Sequence, residues 1–225
     1  MKQNIERIQE RIERTCIKAG RNPGEVRLMG VSKFHGRDKM EEALRGGIRL
    51  FGESRVQEAA EKCAGFRQAH PEAELHFIGG LQRNKAKLAI SLFDCIQSVD
   101  RESLIDVLGN LADRPLDILL ELKTGEETKT GFPNEDSLFR GAEKVSAYPC
   151  LRVRGLMTIA PYTEDSKRVR AAFRALASAR DKAAARFPSW DWSCLSMGMS
   201  DDFEIALEEG STMVRIGTAI FGSRS

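Results

Sequence analysis

The sequence predicts a closed (β/α)8 barrel of parallel strands, a TIM barrel built as one domain over residues 1–225 with an extra helix at its N-terminus. Three observations carry this. Short apolar runs alternate with amphipathic stretches along the whole chain, with short loops between them, which is the pattern of parallel strands joined by crossover helices. Eight such runs favour closure into a barrel over an open doubly wound sheet. The 225 residues also suit a plain barrel, for which about 250 are usual.

Each element has its own signal. Residues 2–19 place Ile5, Ile8, Ile12 and Cys16 at helical spacing, and Gly20 and the Pro23-Gly24 turn end that helix. It precedes any strand, so it is expected to cover the face left bare beside the last strand, after which no further helix is expected. The first strand spans 26–31 and ends in Ser32-Lys33; a helix over 38–45 stops at Gly46-Gly47. The second strand, 48–51, ends in Gly52-Glu53-Ser54 and leads into a helix over 55–68. The third, 75–78, ends in Gly79-Gly80 before a helix over 84–92. The fourth and fifth strands are 94–99 and 116–122, around a helix over 101–111. A polar loop, 123–131, and a helix over 135–147 precede the sixth strand, 151–159, and a long alanine-rich helix follows over 165–187. The seventh strand, 192–195, runs into Ser-Met-Gly-Met-Ser, where Asp201 and Asp202 open a helix that closes at Gly210. The eighth, 212–216, ends in Gly217-Thr218.

Composition narrows the function classes. Charged residues make up 30% and nearly cancel, leaving a net charge of +2, so no basic patch argues for nucleic acid. No apolar run reaches the ~20 residues of a membrane span, and the charged N-terminus is not a signal peptide. The five cysteines, Cys16, Cys63, Cys95, Cys150 and Cys194, never form a C-x-x-C pair. That argues against a disulfide framework or a zinc site and fits a reducing cytoplasm.

Barrel chemistry sits at the C-terminal ends of the strands. There the sequence places Lys33, Glu53, Ser54, His76, Met157, Ser196, Arg215, Gly217 and Thr218. The last two strands end in glycine turns, and a helix starts after the first of them; free amides and a helix dipole suit a phosphate. Lys33 follows an apolar strand and is expected to face the mouth, where a poorly hydrated amine is a nucleophile that forms a Schiff base with an aldehyde. The other reading of this position is a lysine that snorkels to water. A phosphorylated aldehyde opposite an amine points to pyridoxal phosphate. Arg215 shares its facing with Gly217 by strand alternation. It could meet a pyridine nitrogen and keep it unprotonated, or pair with a carboxylate such as Glu53. His35 reads as a solvated loop histidine, and His76 as a satisfied core one.

Eight motifs together resemble the pyridoxal phosphate homeostasis protein family, and are similar to the barrel half of alanine racemase. They are VSK at 31–33, FGES-VQE at 51–58, HFIGGLQ-NK at 76–85, SVDR at 98–101, KTGF at 129–132, RGLMTI at 154–159, SMGMSDDF at 196–203 and VRIGTAIFG at 214–222. The resemblance implies a barrel carrying pyridoxal 5'-phosphate on Lys33. It also implies that Ser196, Gly217 and Thr218 hold the phosphate with Met197 nearby, that Arg215 meets the pyridine nitrogen, and that Lys129 handles cofactor transfer, although on the residues alone Lys129 reads as a solvated loop lysine. Two positions depart from the family pattern. The second strand there ends Gly-Glu-Asn-Tyr, where this chain has Gly52-Glu53-Ser54-Arg55, so the asparagine's contact to the cofactor ring is expected to be lost or replaced by the Ser54 hydroxyl or water. The third ends Ile-Gly-His, where this chain has Gly80.

Two functional readings follow. Racemisation needs a base on each face of the substrate carbon, and alanine racemase draws one, a tyrosine, from a second domain that these 225 residues leave no room for. Tyr162 is the tyrosine nearest the mouth, on a loop. The preferred expectation is therefore a non-catalytic pyridoxal phosphate carrier in vitamin B6 homeostasis. It is expected to be a cytoplasmic monomer that passes cofactor to apo-enzymes. The alternative is a pyridoxal-phosphate-dependent amino-acid racemase, and on fold alone the barrel could bind some other phosphate.

Overall fold

A computed structural model describes residues 1–125 and 130–222. Eight parallel strands close in sequence order, β1 to β8, with β8 pairing back onto β1. They are β1 Arg27–Val31, β2 Leu50–Glu53, β3 Glu74–Phe77, β4 Cys95–Val99, β5 Leu116–Glu121, β6 Leu151–Met157, β7 Cys194–Ser196 and β8 Met213–Ile216. The helices are α1 Lys2–Lys18, α2 Arg37–Arg45, α3 Val56–Lys62, α4 Phe66–Ala69, α5 Ala86–Leu92, α6 Glu102–Leu111, α7 Glu135–Val145, α8 Ser166–Arg186, α9 Phe203–Glu208 and α10 Thr218–Phe221. No helix among the described residues is long and apolar enough to cross a membrane.

Alternation divides each strand between two cores. On β5, Leu116, Ile118 and Leu120 face outward into the large core shared with the helices. Leu119 faces inward and packs with Cys95 and Met157 inside the barrel. Met29, Val31, Leu50 and Met213 fill the interior beside β1. Gly52 is small because Met29 needs the space: a Cβ there would meet the Met29 sulfur at 2.5 Å.

The N-terminal helix does what its pattern predicts. Ile5, Ile8, Ile12 and Cys16 are buried, and α1 packs on α2, α9 and α10, which covers the seam where β8 meets β1. Three local readings are corrected. The helix expected over 55–68 breaks into α3 and α4, because Gly65 takes a left-handed turn with φ 67°. The second and seventh strands begin two residues later than their apolar runs: Ile48 and Trp192 are buried before the strands start, packed into the outer core. A one-turn helix, α10, follows the last strand where none was expected.

Candidate cofactor site at the barrel mouth

The first strand and the last are neighbours, with Met29 opposite Arg215 and Gly30 opposite Ile216. A Cβ on Gly217 would lie 3.6 Å from the Val31 Cβ. Lys33, two residues beyond Val31, thus leaves the rim beside the Gly217-Thr218 turn. His35 stacks on Phe221 of α10 at 5.2 Å, tying the two turns together. It is half-buried, not a solvated loop histidine; burial first, and the Lys62 charge second, push its pKa below the usual range.

The turn carrying Lys33 is held from behind. Phe34 has φ 69°, an uncommon conformation for a non-glycine residue, so something must hold it there. Its N–H donates to Glu58 Oε1 at 2.6 Å. Lys62 Nζ donates to the carbonyls on either side of the turn, Ser32 at 2.7 Å and His35 at 3.1 Å. The same ammonium meets Glu53 Oε1 at 2.7 Å and Glu58 Oε1 at 3.2 Å, and is 8% exposed. Glu53 is fully buried, accepts from Ser32 Oγ at 2.5 Å and leaves Oε2 without a partner among the described residues. Burial outweighs Lys62 and raises its pKa. Glu53 therefore binds α3 and is not the partner of Arg215, because its neighbour Gly52 takes the inward face and alternation turns Glu53 outward.

Arg215 is 4% exposed inside the mouth. One guanidinium nitrogen donates to Ser196 Oγ at 2.8 Å and another to the Thr158 carbonyl at 2.7 Å. Burial lowers its pKa to about 10, which leaves it charged at neutral pH. Among the described residues no carboxylate lies within ion-pair distance of it; Asp202 and Glu121 act on it only at longer range.

Ser196 continues the chain of bonds. Its hydroxyl donates to Gln97 Oε1 at 2.7 Å; Gln97 Nε2 then donates to His76 Nδ1 at 2.8 Å. An amide nitrogen cannot accept, so His76 carries its proton on Nε2, 3.3 Å from Glu74 Oε2. Arg27 meets the same Glu74 oxygen at 2.8 Å at the floor of the barrel. The His76 bond, with Arg27 behind it, holds the Glu74 carboxyl down to about 2. His76 is the satisfied core histidine the sequence suggests.

The remaining expected residues divide. Gly217 and Thr218 open α10 at the rim, where first-turn amides lack helical partners. Gly198 turns with φ 97° against Ala206 ahead of α9. Ser54 lies at the rim, its backbone packed against Gly79. The Ser196 hydroxyl is committed to Arg215 and Gln97, and the Met197 side chain is buried in the outer core. Lys129 lies outside the described residues. Tyr162 is 99% exposed, and the Tyr148 hydroxyl is bound to Asp106 on the outer helices at 2.8 Å. Sequence reading missed Gln97, Lys62, Glu58 and Glu121. Gln97 and Glu121 carried one available signal, a polar residue at an inward position of a strand.

The chain resembles known proteins in sequence and in fold. The family model for the alanine racemase N-terminal domain matches residues 1–225. A pyridoxal phosphate homeostasis protein of Vibrio cholerae is 42% identical, over 100% of this chain and 96% of its own length. PipY of Synechococcus elongatus, solved with PLP bound, superposes with a TM-score of 0.82 at 33% identity, over 94% of this chain and 100% of that one. Alanine racemase of Clostridium difficile shares the fold with a TM-score of 0.74 at 13% identity, this chain matching 56% of it. With the motifs in order along the strands and full-length identity of this size, the chain belongs to the pyridoxal phosphate homeostasis protein family, within the alanine racemase N-terminal domain class.

Proposed function

We propose that the barrel, as one domain over residues 1–225, binds pyridoxal 5'-phosphate in vitamin B6 homeostasis and holds it reversibly on Lys33. The observation that carries this is Arg215, a buried charge with no carboxylate beside it among the described residues, on the strand next to the one that leads into Lys33. A buried guanidinium is costly unless hydrogen-bonded, and a ring nitrogen that accepts but bears no charge fits it. When bound, the cofactor supplies an aldehyde that condenses with an amine. Lys33 offers the amine from a turn that Lys62 and Glu58 keep in place. Arg215 meets the ring nitrogen and, because it does not release its proton, keeps that nitrogen unprotonated and restrains carbanion chemistry. Gly217 and Thr218 present first-turn amides to the phosphate. Ser196 contributes by orienting Arg215, Met197 by its backbone beside the phosphate turn, and Ser54 by facing the ring.

The protein acts as a carrier and not as a racemase. Tyr162 stands in water and Tyr148 is tied to Asp106, which supports this reading. Five free thiols suit a cytoplasmic protein. It works as a monomer and passes cofactor to apo-enzymes. The test is an absorbance spectrum of protein mixed with pyridoxal phosphate, then borohydride reduction and mass mapping. A visible band, lost in Lys33→Ala, with the mass added at Lys33, is expected. No band, or a mass on another lysine, overturns the reading. Conversion of L-alanine to its enantiomer in heavy water at ~1 per second or faster would establish the racemase instead.

A further inference from the structure

Glu121 is a group of the mouth that neither the motifs nor the proposed function uses. Positions 117, 119 and 121 of β5 share the inward face, since Leu119 packs inside the barrel and Asp117 lines its floor. The Glu121 carboxyl is 2% exposed. Residues 130–132 fold back onto the end of β5: Phe132 N–H donates to the Glu121 carbonyl at 2.7 Å, and Lys123 N–H to the Phe132 carbonyl at 3.0 Å. Gly131, with φ 107°, permits this return, because a Cβ there would strike Lys123 N at 2.7 Å. The fold-back sets Thr130 over the carboxyl, and Thr130 Oγ1 donates to Oε1 at 2.6 Å. Oε2 has no partner among the described residues. The charged groups acting on it are Asp100 from the end of β4 and Arg215 from β8.

A buried carboxylate with one hydrogen bond is poorly stabilised, whereas a carboxylic acid in that place needs only an acceptor for its proton. We propose that Glu121 is a hydrogen-bond donor of the mouth, holding a proton on Oε2 and presenting it to an oxygen or nitrogen acceptor of the ligand bound beside Arg215. The threonine, glycine and phenylalanine of the KTGF motif then have a physical purpose: they set Thr130 so that Oε1 is occupied and Oε2 is left for the ligand. The inference rests on the cofactor reading for the identity of the ligand. Ligand binding that uses this proton must weaken as pH rises and the acid ionises. Burial sets that point near 7, with Thr130 and Arg215 pulling down and Asp100 pushing up.

The experiment is a calorimetric titration of pyridoxal phosphate into wild type, Glu121→Gln and Thr130→Val between pH 6 and 8.5. Glutamine keeps a donor at every pH, so it cancels effects of the phosphate and of Lys33 common to both proteins. Wild-type affinity is expected to fall relative to Glu121→Gln by about tenfold per pH unit above the midpoint. In Thr130→Val that midpoint moves upward, since the carboxylate loses its hydrogen bond. Parallel profiles for wild type and Glu121→Gln, or, should that variant fail to fold, an unmoved midpoint in Thr130→Val, overturn the inference. If wild type binds no pyridoxal phosphate, the cofactor reading fails instead. The acid is then judged by infrared titration of the free protein: a protonated-carboxyl band absent from Glu121→Gln supports it, and no difference between the two proteins overturns it.

Discussion

The two ends of the barrel interior solve the same problem in opposite ways. At the floor, a cavity of about 860 Å3 is ringed by charges that satisfy one another. Arg27 meets Glu74 at 2.8 Å, Arg152 and Arg154 share Asp117 at 2.6 and 3.0 Å, and Arg154 also reaches Asp191 at 3.4 Å. At the mouth, among the described residues, Arg215 has no carboxylate and Glu121 leaves one oxygen bare. The floor has the room but little unspent hydrogen-bonding capacity. The mouth holds buried polar groups that fold at a cost and gain partners when something enters. Volume alone would choose the wrong end; unsatisfied buried chemistry chooses the end where barrel enzymes work.

The contrast can be broken most forcefully at Lys62. Lys62→Met leaves Glu53 buried without its counter-ion and releases the Lys33 turn. A loss of about 3–5 kcal/mol in urea unfolding at pH 8 is expected, smaller at pH 5, where Glu53 can take a proton. Lys62→Arg should restore part of it. An unchanged stability would mean that the cluster behind the turn is as dispensable as a surface ion pair.

Glu121 gives the next effect, and its sign is opposite to that of the usual carboxylate. Its folded pKa, about 7, lies above that of the unfolded chain, so its contribution is complete at low pH and is lost as pH rises toward 7. Wild type should lose about 3 kcal/mol relative to Glu121→Gln between pH 4.5 and 7, measured by urea melts across that range. A flat difference would place Glu121 in an ordinary solvated setting.

Cutting the connection between the ends should cost less. Gln97→Leu leaves Ser196 and His76 each short of a buried partner, for a loss of about 1–3 kcal/mol. It should also weaken cofactor binding severalfold, because Arg215 loses its brace. A stability loss with unchanged affinity would show that the brace is dispensable to the site. Smallest of all, Asp117→Asn at the floor should change stability by about 1 kcal/mol or less and leave cofactor affinity untouched. A binding defect there would show that the floor is part of the site.

These differences explain what the sequence could and could not disclose. Strand and helix alternation, the covering role of α1 and the positions of Lys33, Arg215 and Gly217 at one rim were all legible, because each rests on local periodicity or on strand order. Strand starts at Ile48 and Trp192 were misjudged because outward burial begins before pairing does. The partners were hidden. Gln97 and Ser196 stand 99 positions apart and meet across the barrel, and alternation tells which way a side chain faces but not what it finds. Lys62 looks like any cation on an amphipathic helix until α3 is docked against the Lys33 turn.

The hydrogen bonds from Arg215 through Ser196, Gln97 and His76 to Glu74 all run in one direction. A guanidinium can give but never take, so the polarity of every later member is dictated from the rim, like a row of turnstiles set by the first. The imidazole deep in the barrel is thereby made a remote gauge of the cofactor end. A nitrogen resonance recorded on His76 should register whatever tugs at Arg215, three hydrogen bonds away.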